Sequence, residues 1–217
     1  MLLLNEDCMD VMARYPDGYW ELVIADPPYG INIASQSPLG SGCVKKKCGQ
    51  SFEYTKKDWD SCIPDASYFK ELFRVSKNQI IWGANYMTEH LPPSMGWIVW
   101  DKNNGTISFS DCELAYTSFD RALRQFTYTW HGMLQGDMKN KEQRIHPTQK
   151  PVKLYEWLLL NYAKEGDKIL DTHLGSASSA IAAKKMGFDF VGCELDKEYF
   201  DKSQERIDNY FRQDSLF

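Results

Sequence analysis

Leu22-Val23-Ile24-Ala25-Asp26-Pro27-Pro28-Tyr29-Gly30 is a short apolar run that ends in a carboxylate, two prolines and an aromatic ring. Four apolar residues in succession, with no polar alternation, predict a strand buried on both faces, and such strands belong to parallel sheets covered by helices. The strand stops at Asp26. Pro27 and Pro28 have no N–H to give to a ladder, and Pro27 drives Asp26 out of the helical region, so the chain leaves the sheet here with its carbonyls turned outward. In open α/β sheets this carboxyl edge is where ligands bind. An ionised aspartate only accepts hydrogen bonds, the Pro27 carbonyl accepts in a fixed direction, and Tyr29 presents a flat face. Together they match a planar amine with two hydrogens, such as the amino group of a nucleobase drawn out of its helix. Asp-Pro and Pro-Pro are also ordinary turn punctuation, so taken alone the stretch supports either reading.

The chain around it has 217 residues, a length that suits one α/β domain with one or two insertions. A hydrophobic fraction of 43% with 14% aromatics predicts a packed globule. No apolar run approaches membrane-spanning length, and Leu2-Leu3-Leu4 passes at once into Asn5, Glu6 and Asp7, unlike a signal peptide. Six cysteines at positions 8, 43, 48, 62, 112 and 193 form no Cys-x-x-Cys pair, which predicts a reduced, cytoplasmic chain. Cys43, Cys48 and Cys62 lack a fourth ligand at finger-like spacing, so no metal is expected. The net charge of -5 and pI near 5.4 argue against a nucleic-acid partner, although local clustering of Lys and Arg matters more than their sum.

Taken in order, the pattern predicts a strand at Leu2–Leu4, a short amphipathic helix around Met9, Val11 and Met12, and the strand at Leu22–Ala25. A helix over 64–76 with Tyr68, Phe69, Leu72, Phe73 and Val75 on one face follows, then a strand at 78–83 and a short helical piece near Tyr86 and Met87. Trp97–Trp100 and Cys112–Tyr116 predict an antiparallel pair. Two stretches, 31–62 and 120–145, lack periodicity. The first carries Lys45, Lys46 and Lys47; the second carries Arg121, Arg124, Lys139, Lys141 and Arg144 interleaved with Phe126, Tyr128 and Trp130, a mixture suited to nucleic acid or to packing on the domain.

A second site is written near the end. Lys168-Ile169-Leu170 predicts a strand, Asp171-Thr172-His173-Leu174-Gly175-Ser176-Ala177-Ser178 a tight turn of small residues, Ser179–Met186 a helix stopped at Gly187, and Phe190–Cys193 another strand. Glu194 follows about twenty residues after Gly175, where a nucleotide-binding fold places the carboxylate for ribose hydroxyls. His146-Pro147-Thr148-Gln149-Lys150-Pro151 leads into one more helix, with Leu154, Trp157, Leu158 and Tyr162 along a stripe.

These motifs together resemble the amino-group DNA methyltransferases of the β group, in which the catalytic tetrapeptide comes first and the cofactor motifs last. Asp26 to Tyr29 matches the Asp-Pro-Pro-Tyr typical of adenine methylation, Ser-Pro-Pro-Tyr being commoner for cytosine. His146 to Pro151 matches His-Pro-Thr-x-Lys-Pro, Asp171 to Ser178 matches Asp-x-Phe-x-Gly-Ser-Gly-Thr, and Gly192 to Tyr199 matches Gly-x-Glu-x-x-x-x-Tyr. Thr172, His173 and Ala177 depart from the family's proline, phenylalanine and second glycine.

The resemblance implies a Rossmann-like α/β fold: a mixed seven-stranded sheet with an antiparallel edge hairpin, helices on both faces, and one domain over 1–217 carrying the insertions 31–62 and 120–145. It implies S-adenosylmethionine as cofactor, held by Asp7, Cys8, Asp26, Thr148, Lys150, Asp171, His173, Gly175, Ser176, Ala177, Ser178, Glu194 and Leu195. Asp7 has a helix N-cap as its alternative role. Asp26, Pro27, Pro28 and Tyr29 become the catalytic set and the basic residues of the two insertions the DNA contacts. DNA is the implied partner, with a homodimer and a cognate restriction nuclease as further candidates. Cytosine-N4 methylation, methylation of RNA or a protein amide, and a non-catalytic binding module are the rival readings.

Overall fold

The computed structural model describes residues 1–33, 57–105, 110–131 and 133–214. After β1 (Leu2–Leu4), Asp7 caps α1 (Cys8–Met12) by accepting from the Met9 N–H, and the chain enters β2 (Trp20–Ala25). Asp65 starts α2 (Ala66–Val75) by accepting from the Ser67 and Tyr68 N–H groups, and extended backbone at Ser76 turns it directly into β3 (Ser76–Trp82). Two 3-10 turns, Ala84–Tyr86 and Thr88–His90, replace the helical piece expected near Tyr86. Next come β4 (Trp97–Asp101), β5 (Cys112–Thr117), β6 (Arg124–Thr127) and a small hairpin of β7 (Trp130–His131) and β8 (Leu134–Gln135). The chain finishes with α3 (Val152–Tyr162), β9 (Lys168–Asp171), α4 (Ser178–Met186), β10 (Asp189–Cys193) and α5 (Lys197–Asp214).

Among the described residues the main sheet has eight strands in the order β1-β10-β9-β2-β3-β5-β4-β6. The first five are parallel, β5 is antiparallel to both β3 and β4, and β6 runs parallel to β4. Two expectations are corrected here. The sheet has eight strands rather than seven, and the β4–β5 hairpin lies inside the edge because β6 covers it. The added strand comes from 120–145, which is therefore not irregular throughout: Arg124-Gln125-Phe126-Thr127 has too little apolar alternation to announce itself, and its pairing with Ile98–Asp101 makes it a strand.

The period of two along β2 decides the layers. Leu22 and Ile24 face α3 and α4, in one core with Ile80, Trp82, Leu154, Leu158 and Ile181; Val23 and Ala25 face α2, in the other with Ile81, Tyr68, Phe69, Leu72 and Val75. Each fully buried side chain of this kind contributes roughly 1.5–3 kcal/mol, enough for α2 to hold its place with four of them. The chain passes from β2 to β3 on one side and from β9 to β10 on the other. The strand order therefore reverses between β2 and β9, and their carboxyl ends open the crevice where α/β sheets take ligands. Among the described residues no helix is long and apolar enough to cross a membrane.

Candidate active site

Asp26 leaves the end of β2 and Asp171 closes β9, so the two carboxylates named from the sequence flank the crevice. The turn after Asp26 is held by a residue the sequence did not single out. Asp60, only 1% exposed, accepts from the Tyr29 N–H (2.7 Å), the Gly30 N–H (3.0 Å) and the Ile33 N–H (2.8 Å). Three donors that the double proline leaves without ladder partners are thus satisfied by one buried carboxylate.

The Asp26 carboxylate is the hub of a charge cluster. Lys150 donates to both of its oxygens (2.7 and 2.6 Å), and the Tyr29 hydroxyl donates to Oδ1 (2.6 Å). Lys150 also reaches Tyr29 Oη (3.0 Å) and Glu113 Oε2 (3.1 Å), while Lys102 holds Glu113 Oε1 (2.7 Å). Burial pushes the Asp26 carboxyl up against the opposing pull of Lys150. Burial alone would discharge Lys150, but Asp26 and Glu113 outweigh it and keep the ammonium protonated. Glu113 is moved down to about 2 because Lys150 and Lys102 overcome its burial. The Tyr29 ring lies against the Gly83 backbone and stacks on Tyr86 at 5.3 Å and 17°. Trp82 lies under the same ammonium, 5.4 Å from its ring centre. The seat is planar, aromatic and acceptor-rich, as an amine on a flat ring requires.

The second half of the crevice is the turn after β9. Asp171 accepts from the His173 N–H (2.9 Å) and the Ser179 hydroxyl, and burial raises its carboxyl to about 7. Gly175 takes φ +49, and a side chain there would meet nothing closer than the His173 carbonyl at 3.9 Å, so the turn needs glycine for its conformation and leaves its backbone approachable. The Gly175 N–H donates to Glu194 Oε2 (2.8 Å), the Asp196 N–H donates to Oε1 (2.9 Å), and the Asn5 amide clamps the carbonyls of Glu194 and Leu195. Ala177, where the family has glycine, takes the left-handed φ of +60 that glycine favours. Ser176 and Ser178 face Arg206, which bonds the Ser176 carbonyl and Ser178 Oγ (3.0 Å) and pairs with Glu142 (2.6 Å). Ser178 Oγ in turn donates to the Lys150 carbonyl (2.7 Å), so Lys150 ties the Asp26 seat to the turn by both its backbone and its ammonium.

The remaining expectations divide. Asp7 has one oxygen engaged as the cap of α1, and burial and Asp7 drive the neighbouring Cys8 thiol up to about 12, so it stays a protonated thiol. His173 is pushed down to about 4 by burial and sits edge-on to Tyr68, a neutral wall residue. Thr148 contacts His146 Nδ1 (3.1 Å), and His146, moved down to about 3 by burial, lies between Trp59 and Tyr199. The Leu195 side chain is 70% exposed. Lys45, Lys46 and Lys47, with Cys43 and Cys48, lie outside the described residues. Of the second basic set, Arg121, Arg124, Lys139 and Lys141 are exposed; Arg121 also lays its guanidinium over Tyr162 and Phe119 and bonds the Asn161 carbonyl, and Arg144 lies 4.4 Å over Trp130. Glu113 was legible as a lone charge within Cys112-Glu113-Leu114-Ala115; Asp60, in an aperiodic stretch, had no such signal.

The donor set suits S-adenosylmethionine: buried carboxylates at the ends of adjacent parallel strands for cationic and hydroxyl groups, and a glycine turn whose backbone can be approached. A DNA methylase family model matches residues 112–205. The type II methyltransferase M2.DpnII of Streptococcus pneumoniae is 25% identical over 250 aligned residues, covering 96% of this chain and 90% of its own. The structure of the M1.HpyAVI complex with S-adenosylmethionine superposes with a TM-score of 0.60 at 18% identity, covering 95% and 98% of the two chains. The PvuII DNA methyltransferase, cytosine-N4-specific, superposes at 0.58 with 12% identity, covering 94% and 85%. The fold is that of this group of methyltransferases.

Proposed function

We infer that the chain is an S-adenosylmethionine-dependent DNA methyltransferase of the amino-methylating class, and that its target is the exocyclic N6 amine of an adenine flipped out of the duplex. The observation that carries this reading is the junction at Lys150. One residue holds the Asp26 carboxylate through its ammonium and the cofactor turn through its carbonyl, so an amine seat and a nucleoside-cofactor loop form a single crevice.

Asp26 accepts one hydrogen of the amine and the Pro27 carbonyl the other. Both bonds draw the nitrogen lone pair out of ring conjugation, which is what makes an aromatic amine nucleophilic. Asp60 keeps the turn in place, and Tyr29 orients Asp26 through its hydroxyl while offering its ring to the base. Most of the rate therefore comes from position and electrostatics, with no covalent enzyme intermediate. When bound, S-adenosylmethionine supplies an electrophilic methyl group. Glu194, Asp171, Gly175 and the serines of the turn would hold it, with Asp7, Cys8, His173, Thr148 and Leu195 around them.

Exposed Arg124, Lys139 and Lys141 are proposed as phosphate contacts, together with Lys45, Lys46 and Lys47. A cognate restriction nuclease, and a second copy of the chain, belong to the same proposal. The test is nucleoside analysis of unmethylated DNA after incubation with the protein and S-adenosylmethionine. N6-methyladenine is the expected product; N4-methylcytosine would reassign the base, and an absence of methylated nucleoside would overturn the reading.

A further inference from the structure

Lys150 stands where the target amine must go. Its ammonium takes both oxygens of Asp26 at 2.7 and 2.6 Å and lies over the Tyr29 and Trp82 rings at 5.5 and 5.4 Å, the surroundings assigned above to the amine of the base. The side chain is 2% exposed, so it cannot give up Asp26 by moving into water, and a buried ammonium left unpaired is strongly unfavourable. Some other carboxylate has to receive it.

Among the described residues one such group is within reach. Glu113 Oε2 is 3.1 Å from the Lys150 nitrogen, and Lys102 pins the opposite oxygen at 2.7 Å, which fixes the carboxylate in the sheet. Lys102 and Lys150 together keep Glu113 ionised at any working pH. The Lys150 backbone is anchored by Ser178, so only the end of the side chain has to shift. Tyr29 continues to hold Asp26 Oδ1, which leaves Oδ2 for the incoming amine.

We propose that Glu113 is the resting place of the Lys150 ammonium in the substrate-bound enzyme, a positioning residue that lets Lys150 release Asp26 when the base amine arrives. The inference rests on the amine-methylation reading of Asp26. It makes entry of the base an exchange of partners within a neutral four-charge cluster, with Asp26 passing from an ammonium to an amine and Lys150 passing from two carboxylates to one.

The experiment is E113Q, assayed for methyl transfer to unmethylated DNA beside the wild type. The kcat/KM for DNA should fall roughly 10- to 100-fold, the weight of one charged hydrogen bond, while the Kd for S-adenosylmethionine stays within about twofold. In a K150M background the same E113Q change should have almost no further effect, because nothing then needs receiving. A second probe needs no change at Lys150: once the methylated position is mapped, a duplex carrying purine in place of that adenine has no amine to displace Lys150, and it should bind wild type and E113Q equally. An E113Q defect that persists in K150M, that falls equally on the purine duplex, or that tracks a loss of cofactor binding would overturn the proposal while leaving the amine reading intact. A wild-type protein that methylates no base amine would remove both.

Discussion

Replacing Gly83 by alanine perturbs the site through Tyr29 while leaving every side chain that meets substrate chemically unchanged. Gly83 ends β3 in the left-handed region at φ +65, and a Cβ there would fall 2.1 Å from Tyr29 Cε1 and 2.4 Å from Cδ1. The backbone term is about 1–2 kcal/mol. The ring contact cannot persist at that distance, so Tyr29 has to turn away. That breaks its 2.6 Å bond to Asp26 and its stack on Tyr86, and a hydrogen bond to a charged group is worth roughly 1.5–3 kcal/mol. The two together predict a loss of about 2.5–5 kcal/mol. Gly166→Ala is the control, because Gly166 also has positive φ, +86, but a side chain there meets nothing within 4 Å; it should show the backbone term alone. Urea unfolding of both variants measures the difference, and methyl transfer should drop at least tenfold in Gly83→Ala only. If the two variants are equally stable and equally active, the account of Tyr29 fails.

Further outcomes follow from the cofactor side. Glu194→Ala removes the acceptor of two backbone N–H groups, at Gly175 and Asp196, and should weaken S-adenosylmethionine binding by about 10- to 100-fold in calorimetry, with the fold retained by circular dichroism. Burial pushes the Asp171 carboxyl up to about 7 from its ordinary 3.8, so it adds no ionisation penalty at acid pH and progressively destabilises the fold as pH rises from about 4 to 7. The melting temperature of Asp171→Asn relative to wild type should accordingly improve between pH 5 and pH 8; a difference that does not change with pH would contradict the burial of an ionisable Asp171.

Much of this was legible beforehand because the chemistry sits at strand ends. Leu22–Ala25 and Lys168–Leu170 lack polar alternation and lie in the buried parallel part of the sheet, and the acids that stop them, Asp26 and Asp171, lie at its switch point. Elements without a local pattern depend on long-range pairing. β6 exists because it borders β4, not because Arg124–Thr127 has a strand pattern of its own. The final helix has a local signal of its own, since Tyr199, Phe200, Ser203 and Ile207 recur at helical spacing on its buried side. Asp60 is a carboxylate in an aperiodic stretch, and only its three N–H donors show what it does. The basic-aromatic mixture of 120–145 was evenly balanced in the sequence. The structure lays Arg121 and Arg144 against aromatic rings of the domain, Arg121 remaining exposed with Arg124, Lys139 and Lys141.

The division of labour between the two halves of the crevice is tested most directly by one paired measurement. Transfer of tritiated methyl from S-adenosylmethionine to unmethylated duplex DNA is followed for wild type and Asp26→Ala, with the cofactor Kd of each determined alongside. Wild type should place label in adenine and Asp26→Ala none, at nearly equal cofactor affinities. Undiminished transfer by Asp26→Ala would contradict that division of labour.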